Sequence, residues 1–266
     1  MSTSAPPIVH PAAYDHWPSA TEYVFESSNV PSEVADTLDP WIRSLLPEDH
    51  DGRKRTVAAR FDGVTADHLQ PLRRVLLAAE PVSLVIWEDQ WWVRLSPTAA
   101  VEDRAFAMYL PPPADPGDLD AGLDRVGFVG DADLREFLLA FGGLAEDFMV
   151  AGCLAGPPAD FTTLGDLMPA DILKEIFDFD ECDLEELVRS FVLYAARNGD
   201  QLVYSPDGRV AWFDHECGEV TAVAEGIEDF AVGFATYRTT FDWPFDSHGP
   251  PDYVVSGDGP GRPVAE

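Results

Sequence analysis

Two apolar periods alternate along the chain, and the switches between them predict its elements. Beyond Pro31, the residues Val34, Leu38, Trp41, Ile42, Leu45 and Leu46 fall at mostly helical spacing, with Pro40 interrupting, which predicts a kinked helix or two short ones. Residues 56–61 read as a strand, and residues 66–79 as a helix with Leu69, Leu72, Val75, Leu76 and Ala79 on one face. Residues 82–87 and 91–95 then read as a hairpin about Glu88, Asp89 and Gln90, with a further strand over 104–110. Alternation along the second hairpin strand puts Trp91 and Trp92 on opposite faces, so one of them is expected at the surface. This β-α-β-β order predicts a small sheet backed by a helix.

Pro111, Pro112 and Pro113, followed by Pro116-Gly117, interrupt the pattern and predict a linker or loop over 111–125. Past it, Asp131 is placed to N-cap a helix running to Phe141, with Leu134, Phe137, Leu138 and Phe141 along one face and Gly142-Gly143 as its stop. Residues 151–165 are loop-like, and 164–179 read as short helical pieces. Asp183 is expected to N-cap a longer helix, because Leu184, Leu187, Val188, Phe191, Val192 and Ala195 recur at helical spacing as far as Arg197 and Asn198-Gly199. Strands are predicted over 201–205, 209–214 and 219–224, joined by Pro206-Asp207-Gly208 and by Cys217-Gly218. A helix over 227–241 follows.

The expected fold class is therefore α+β: an antiparallel sheet flanked by helices over 126–245, with a smaller N-terminal α+β region over 1–110. The first thirty residues are expected to form a loose arm docking through Trp17, Tyr23 and Phe25, and 246–266 a disordered tail.

Charge narrows the function classes. Forty-eight acidic residues oppose 17 basic ones, a formal net charge of −31. Such a field repels phosphate backbones and anionic membranes, so neither nucleic acid nor membrane is expected as a partner. It attracts basic proteins and speeds encounter with them. The beginning of the chain has no basic-then-apolar leader pattern and no apolar run approaches a membrane span, so a cytoplasmic location is expected. Cys153, Cys182 and Cys217 have no CxxC spacing and are expected as free thiols buried as small apolar residues in a reducing compartment. The basic cluster at 52–55 reads as a solvated turn.

Candidate chemistry is sparse. There is no phosphate-binding GxxxxGK, no GxSxG elbow and no HExxH helix. Asp214, His215, Glu216 and Cys217 put four metal-ligating side chains together, but adjacent strand residues face opposite ways and cannot all converge on one ion. A polar strand end is the expected reading, with no catalytic residue, no metal and no cofactor. The acidic run Asp178, Asp180, Glu181, Asp183, Glu185 and Glu186 lacks the central Gly of a calcium loop. Part of it compensates a helix dipole, and the rest is either a solvated face or a docking patch for a basic partner.

Three ordered pieces resemble the SUKH superfamily, which contains bacterial toxin-immunity proteins and fungal cell-wall regulators. They are LREFLLAFGGL from Leu134, DQLVYSPDGRVAWFDHECGEVTAVA from Asp200 and GIEDFAVGFATY from Gly226. The resemblance spans 134–240, somewhat under half the chain, and implies a central antiparallel sheet, no catalysis and a protein ligand, often a toxin. The leading expectation is thus an immunity protein that neutralises a toxin, of basic nuclease type on the charge argument. The rivals are a regulatory or scaffolding module of the same fold and a metal-dependent hydrolase using Asp214, His215 and Glu216. The sequence sets no oligomeric state.

Overall fold

The computed structural model describes residues 21–25, 30–87, 90–96, 107–146, 153–177, 181–195 and 199–240. Trp17 and the 246–266 tail lie outside them. The fold is α+β, as the patterning predicts. Strand β1 (Thr21–Val24) precedes three helices, α1 (Ser32–Ala35), α2 (Pro40–Ser44) and α3 (His50–Ala59). A 3₁₀ turn (Asp67–Leu69) leads into α4 (Gln70–Ala78), then β2 (Glu80–Trp87), β3 (Gln90–Ser96) and β4 (Met108–Leu110). Helices α5 (Pro116–Val126) and α6 (Ala132–Phe141) are followed by the two-residue strands β5 (Ala145–Glu146) and β6 (Cys153–Leu154). Helices α7 (Leu164–Leu167), α8 (Ala170–Ile176) and α9 (Glu181–Arg189) precede β7 (Phe191–Ala195), β8 (Gln201–Tyr204), β9 (Val210–Phe213), β10 (Val220–Ala224) and α10 (Ile227–Thr240).

Every strand pairs antiparallel with the next in sequence. The result is two four-stranded meanders, β1–β4 and β7–β10, bridged by the short β5 and β6. One apolar cluster, from Tyr23 to Ala235, takes side chains from both sides of residue 111, with α4, α6 and α10 packed together over it. The opposite face of the second meander carries Val192, Val203 and Phe213, covered by Leu164, Leu173, Leu184 and Leu187 of α7, α8 and α9. Here the sheet is sandwiched between helical layers, so β7 and β8 are buried on both faces.

Asp131 caps α6 as the sequence suggests: its Oδ1 accepts from the Leu134 N–H at 2.9 Å. Its Oδ2 accepts from the Tyr204 hydroxyl at 2.7 Å, tying the helix start to β8. The strands over β8, β9 and β10 and the helix α10 also fall where the patterning places them. Pro40 opens α2 and separates it from α1, giving the two short helices.

Several expectations are corrected. Residues 56–61 are not a strand; they form the end of α3 and the turn that follows it, and the helix's N-cap Asp49 accepts from the Gly52 N–H at 2.7 Å. Val57 and Phe61, four apart, share the buried face. The basic cluster at 52–55 therefore lies within a helix and not in a turn. Arg53 is buried, stacks 4.6 Å over the Phe25 ring and donates to the Glu48 carbonyl at 2.6 Å. The expected linker over 111–125 is mostly α5: Pro116 occupies the first turn, where its missing N–H costs nothing, and Asp115 caps Gly117 and Asp118. Part of the loose arm is strand β1, paired along β2.

The helix expected from Asp183 to Arg197 ends at Arg189, and Asp183 is its third residue, not its cap. Ser190 donates back to the Glu186 carbonyl at 3.0 Å, and the chain enters β7. Cys217 is an exposed free thiol, not a core residue.

Glu80 joins α3 to β2 through Lys54 (Nζ to Oε1, 2.7 Å) and His50 (Nε2 to Oε2, 2.6 Å). The Lys54 hydrogen bond holds the Glu80 carboxyl below its usual range. A carboxyl depressed on folding stabilises the fold above its unfolded pKa, and that stability is lost as pH falls through the folded value. Glu80→Gln is expected to cost about 0.5–1 kcal/mol at about pH 7 and less at about pH 3. Urea unfolding at the two pH values checks this, and an equal gap at both would contradict it.

Candidate functional site

Of the acidic run, Asp178 and Asp180 lie outside the described residues, and Glu181 and Asp183 belong to α9, without described side chains. Glu185 is exposed, with Arg189 at 4.0 Å one turn on. Glu186 accepts from Arg209 at 3.1 Å, and Arg209 also holds Asp207 at 2.6 Å. These contacts bolt the β8–β9 turn to α9.

The Asp214–Cys217 tetrad sits just past β9, in a turn, so strand alternation no longer separates its members. Asp214 and His215 come together there with Asp200, their ligand atoms lying within 4.8 Å of one another. A lone Asp between a glycine and a strand carries no signal in the sequence, so only the structure brings Asp200 to the site. It is fully buried. Its Oδ1 accepts from the His215 N–H at 3.1 Å and pairs with Nδ1 at 2.8 Å. A carboxylate accepts, so Nδ1 carries the proton and Nε2 is the basic nitrogen. Gly199, at φ +106°, lets the ring in: a Cβ there would lie 2.9 Å from it. Asp214 Oδ1 accepts from the Glu216 and Cys217 N–H groups at 2.8 and 3.1 Å. The three side chains match in number the protein ligands usual for a catalytic zinc, but each carboxylate already holds N–H donors. The cluster braces the β9–β10 turn against the approach to β8.

The larger feature is a cavity of about 460 Å³ beside β3, walled by residues from the segments around Asp39, Pro111 and Phe161 and from the end of α6. Trp91, Phe161 and the prolines 111–113, 157 and 158 form its apolar wall. Trp91 is half-buried and stacks on Tyr23 at 6.5 Å, whereas Trp92 is buried. Asp39, Asp115 and Asp118 also line it, and among the described residues no lysine, arginine or histidine does. Among the described residues none of these three carboxylates has a cationic partner.

Three connecting segments, the last holding a 3₁₀ turn over Pro158–Asp160, make the walls, and one arginine braces each by its backbone. Arg43 donates to the Asp36 and Leu38 carbonyls at 2.8 and 3.1 Å. Arg60 donates to the Pro111 carbonyl, its guanidinium 5.7 Å over the Trp41 ring, and burial lowers its pKa to about 10. Arg125 gathers the Pro158, Ala159 and Phe161 carbonyls at 2.8, 2.9 and 3.2 Å. Gly143 closes the floor at φ +77°, and a Cβ there would meet Pro111 Cγ at 2.5 Å. Prolines and charge-assisted hydrogen bonds leave such walls little freedom, a condition for a pre-formed site.

No protein-family model, curated protein or solved structure matches the chain.

Proposed function

We propose that the protein works without catalysis, by binding a basic polypeptide, and that it is an immunity-type protein that occludes a toxin. The use of its arginines carries this reading. Acidic residues already exceed basic ones 48 to 17, yet Arg43, Arg53, Arg60, Arg73 and Arg125 all donate to backbone carbonyls. These arginines keep their charge, so the net charge stays at −31, but their hydrogen bonds go to loop carbonyls, which leaves few cations paired with the surface carboxylates. That surface favours association with a basic partner and opposes nucleic acid. No helix among the described residues is long and apolar enough to cross a membrane. The toxin as target follows from the SUKH resemblance.

The test is capture from the native host on tagged protein, followed by affinity measurement with the purified partner. A basic polypeptide is expected, its Kd weakening at least about tenfold from low to high salt as exposed charge pairs are screened. Capture of nothing at either salt, or affinity indifferent to salt, would overturn the reading.

A further inference from the structure

The cavity beside β3 is an arginine socket: we propose that the basic partner inserts an arginine side chain beside Trp91, under Asp39, Asp115 and Asp118. This rests on the reading of the protein as a binder of a basic polypeptide, and it names where that partner is anchored.

Complementarity selects the occupant. An apolar, aromatic wall with carboxylates and no cation among its described lining residues fits a group that is flat and apolar along its stem and positive at its tip. Arginine has that form. Its methylene stem packs on proline and indole, and its guanidinium stacks on aromatic faces while forking onto carboxylates. A lysine ammonium is a more strongly hydrated point charge and gains less from an aromatic wall. The carboxylates are also available. Asp39 Oδ1 caps the Trp41 N–H at 2.7 Å and Asp115 Oδ1 caps Gly117 at 2.8 Å, each leaving its second oxygen, and the Asp118 side chain is exposed. The volume, about 460 Å³, lies in the range of ligand sites and exceeds one arginine side chain, so a flanking residue of the partner enters too. The three arginine braces hold the walls apart before the partner arrives, which limits the ordering cost of binding.

The probe is the peptide acetyl-Gly-Arg-Gly-amide, with acetyl-Gly-citrulline-Gly-amide as its neutral counterpart. Both are titrated into the full ¹⁵N-labelled protein while the indole N–H signals of Trp91 and Trp92 are followed. The arginine peptide is expected to shift Trp91 saturably, and the citrulline peptide to bind at least about fivefold more weakly, one charge pair near contact in water being worth about that factor. The double substitution Asp115→Asn, Asp118→Asn should weaken the arginine peptide at least as much, and Asn at 115 preserves the helix cap. Equal shifts from the two peptides, or no shift from either, overturn the socket even if a basic polypeptide is captured from the host. A captured partner that binds wild type and the double variant alike overturns the socket and leaves the proposed function standing. Peptide binding in a protein that captures no basic polypeptide overturns the function and the anchor with it.

Discussion

Phe191→Ala is expected to cost about 3–5 kcal/mol, the range for emptying a well-packed aromatic site. Phe191 is fully buried at the first position of β7, its ring 5.1 Å from Phe161 edge-on and 5.9 Å from Phe128. The backbone around it is pinned as well: Leu164 N–H donates to the Ser190 carbonyl at 2.9 Å, and Val192 N–H to the Thr162 carbonyl at 3.0 Å. The site therefore cannot collapse far, and the cavity term stays near its full value. Because Phe161 also lines the proposed socket, the same substitution should loosen that wall. Urea unfolding reads the effect as a fall in midpoint at constant m. Ile176→Ala, at a side chain 61% exposed, is the control and should stay within about 0.5 kcal/mol. A loss below about 1 kcal/mol at Phe191 would show that the ring is not locked between Phe161 and Phe128.

Phe191 also marks where the amino-acid pattern misleads. Leu184, Leu187 and Val188 set a helical rhythm that Phe191, Val192 and Ala195 continue, although the chain has already become a strand. A strand buried on both faces shows no alternation, and its apolar run satisfies a helical template equally well. The opposite error occurs at α3, a mostly polar helix whose apolar positions Val57 and Phe61 lie at its end. There the β-branched Thr56 and Val57 suggest a strand, and the Asp49 cap that starts the helix goes unread. At α5, Pro116-Gly117 suggests a break, whereas proline in the first turn opens a helix.

The elements over 201–240 and α6 were legible because local signals agreed there. Asp131 caps, and the Pro206–Gly208 and Cys217-Gly218 turns bound the short, β-branched and aromatic runs of β8, β9 and β10, so all point the same way. The socket had no comparable signal. Its walls come from segments around Asp39, Trp91, Pro111 and Phe161, far apart in sequence, and only tertiary packing makes them neighbours. The proline run 111–113 reads in the sequence only as a boundary between regions.

Asp200→Ala is expected to lose about 2–4 kcal/mol, more than either partial change around it. The carboxylate is fully buried and serves both the backbone N–H and the ring Nδ1 of His215. Alanine leaves two donors without their acceptor in a place water reaches poorly, so the loss includes their desolvation as well as the bonds themselves. Asp200→Asn keeps an acceptor oxygen and removes the charge, and should cost about half as much. His215→Ala removes the ring contact but keeps the backbone bond, and should cost about 1–2 kcal/mol. In a double-mutant cycle, Asp200 and His215 should therefore couple by at least about 1 kcal/mol. The cycle also separates bracing from chemistry. If the pair holds a turn, the variants unfold more easily while metal content, measured on the purified protein by elemental analysis, is the same in all of them. If the pair belongs to a metal centre, His215→Ala strips bound metal, and the stability loss shrinks to nothing in chelator. The first outcome leaves the acidic surface and its socket as the working parts of the molecule; the second would move the function to the β9–β10 turn.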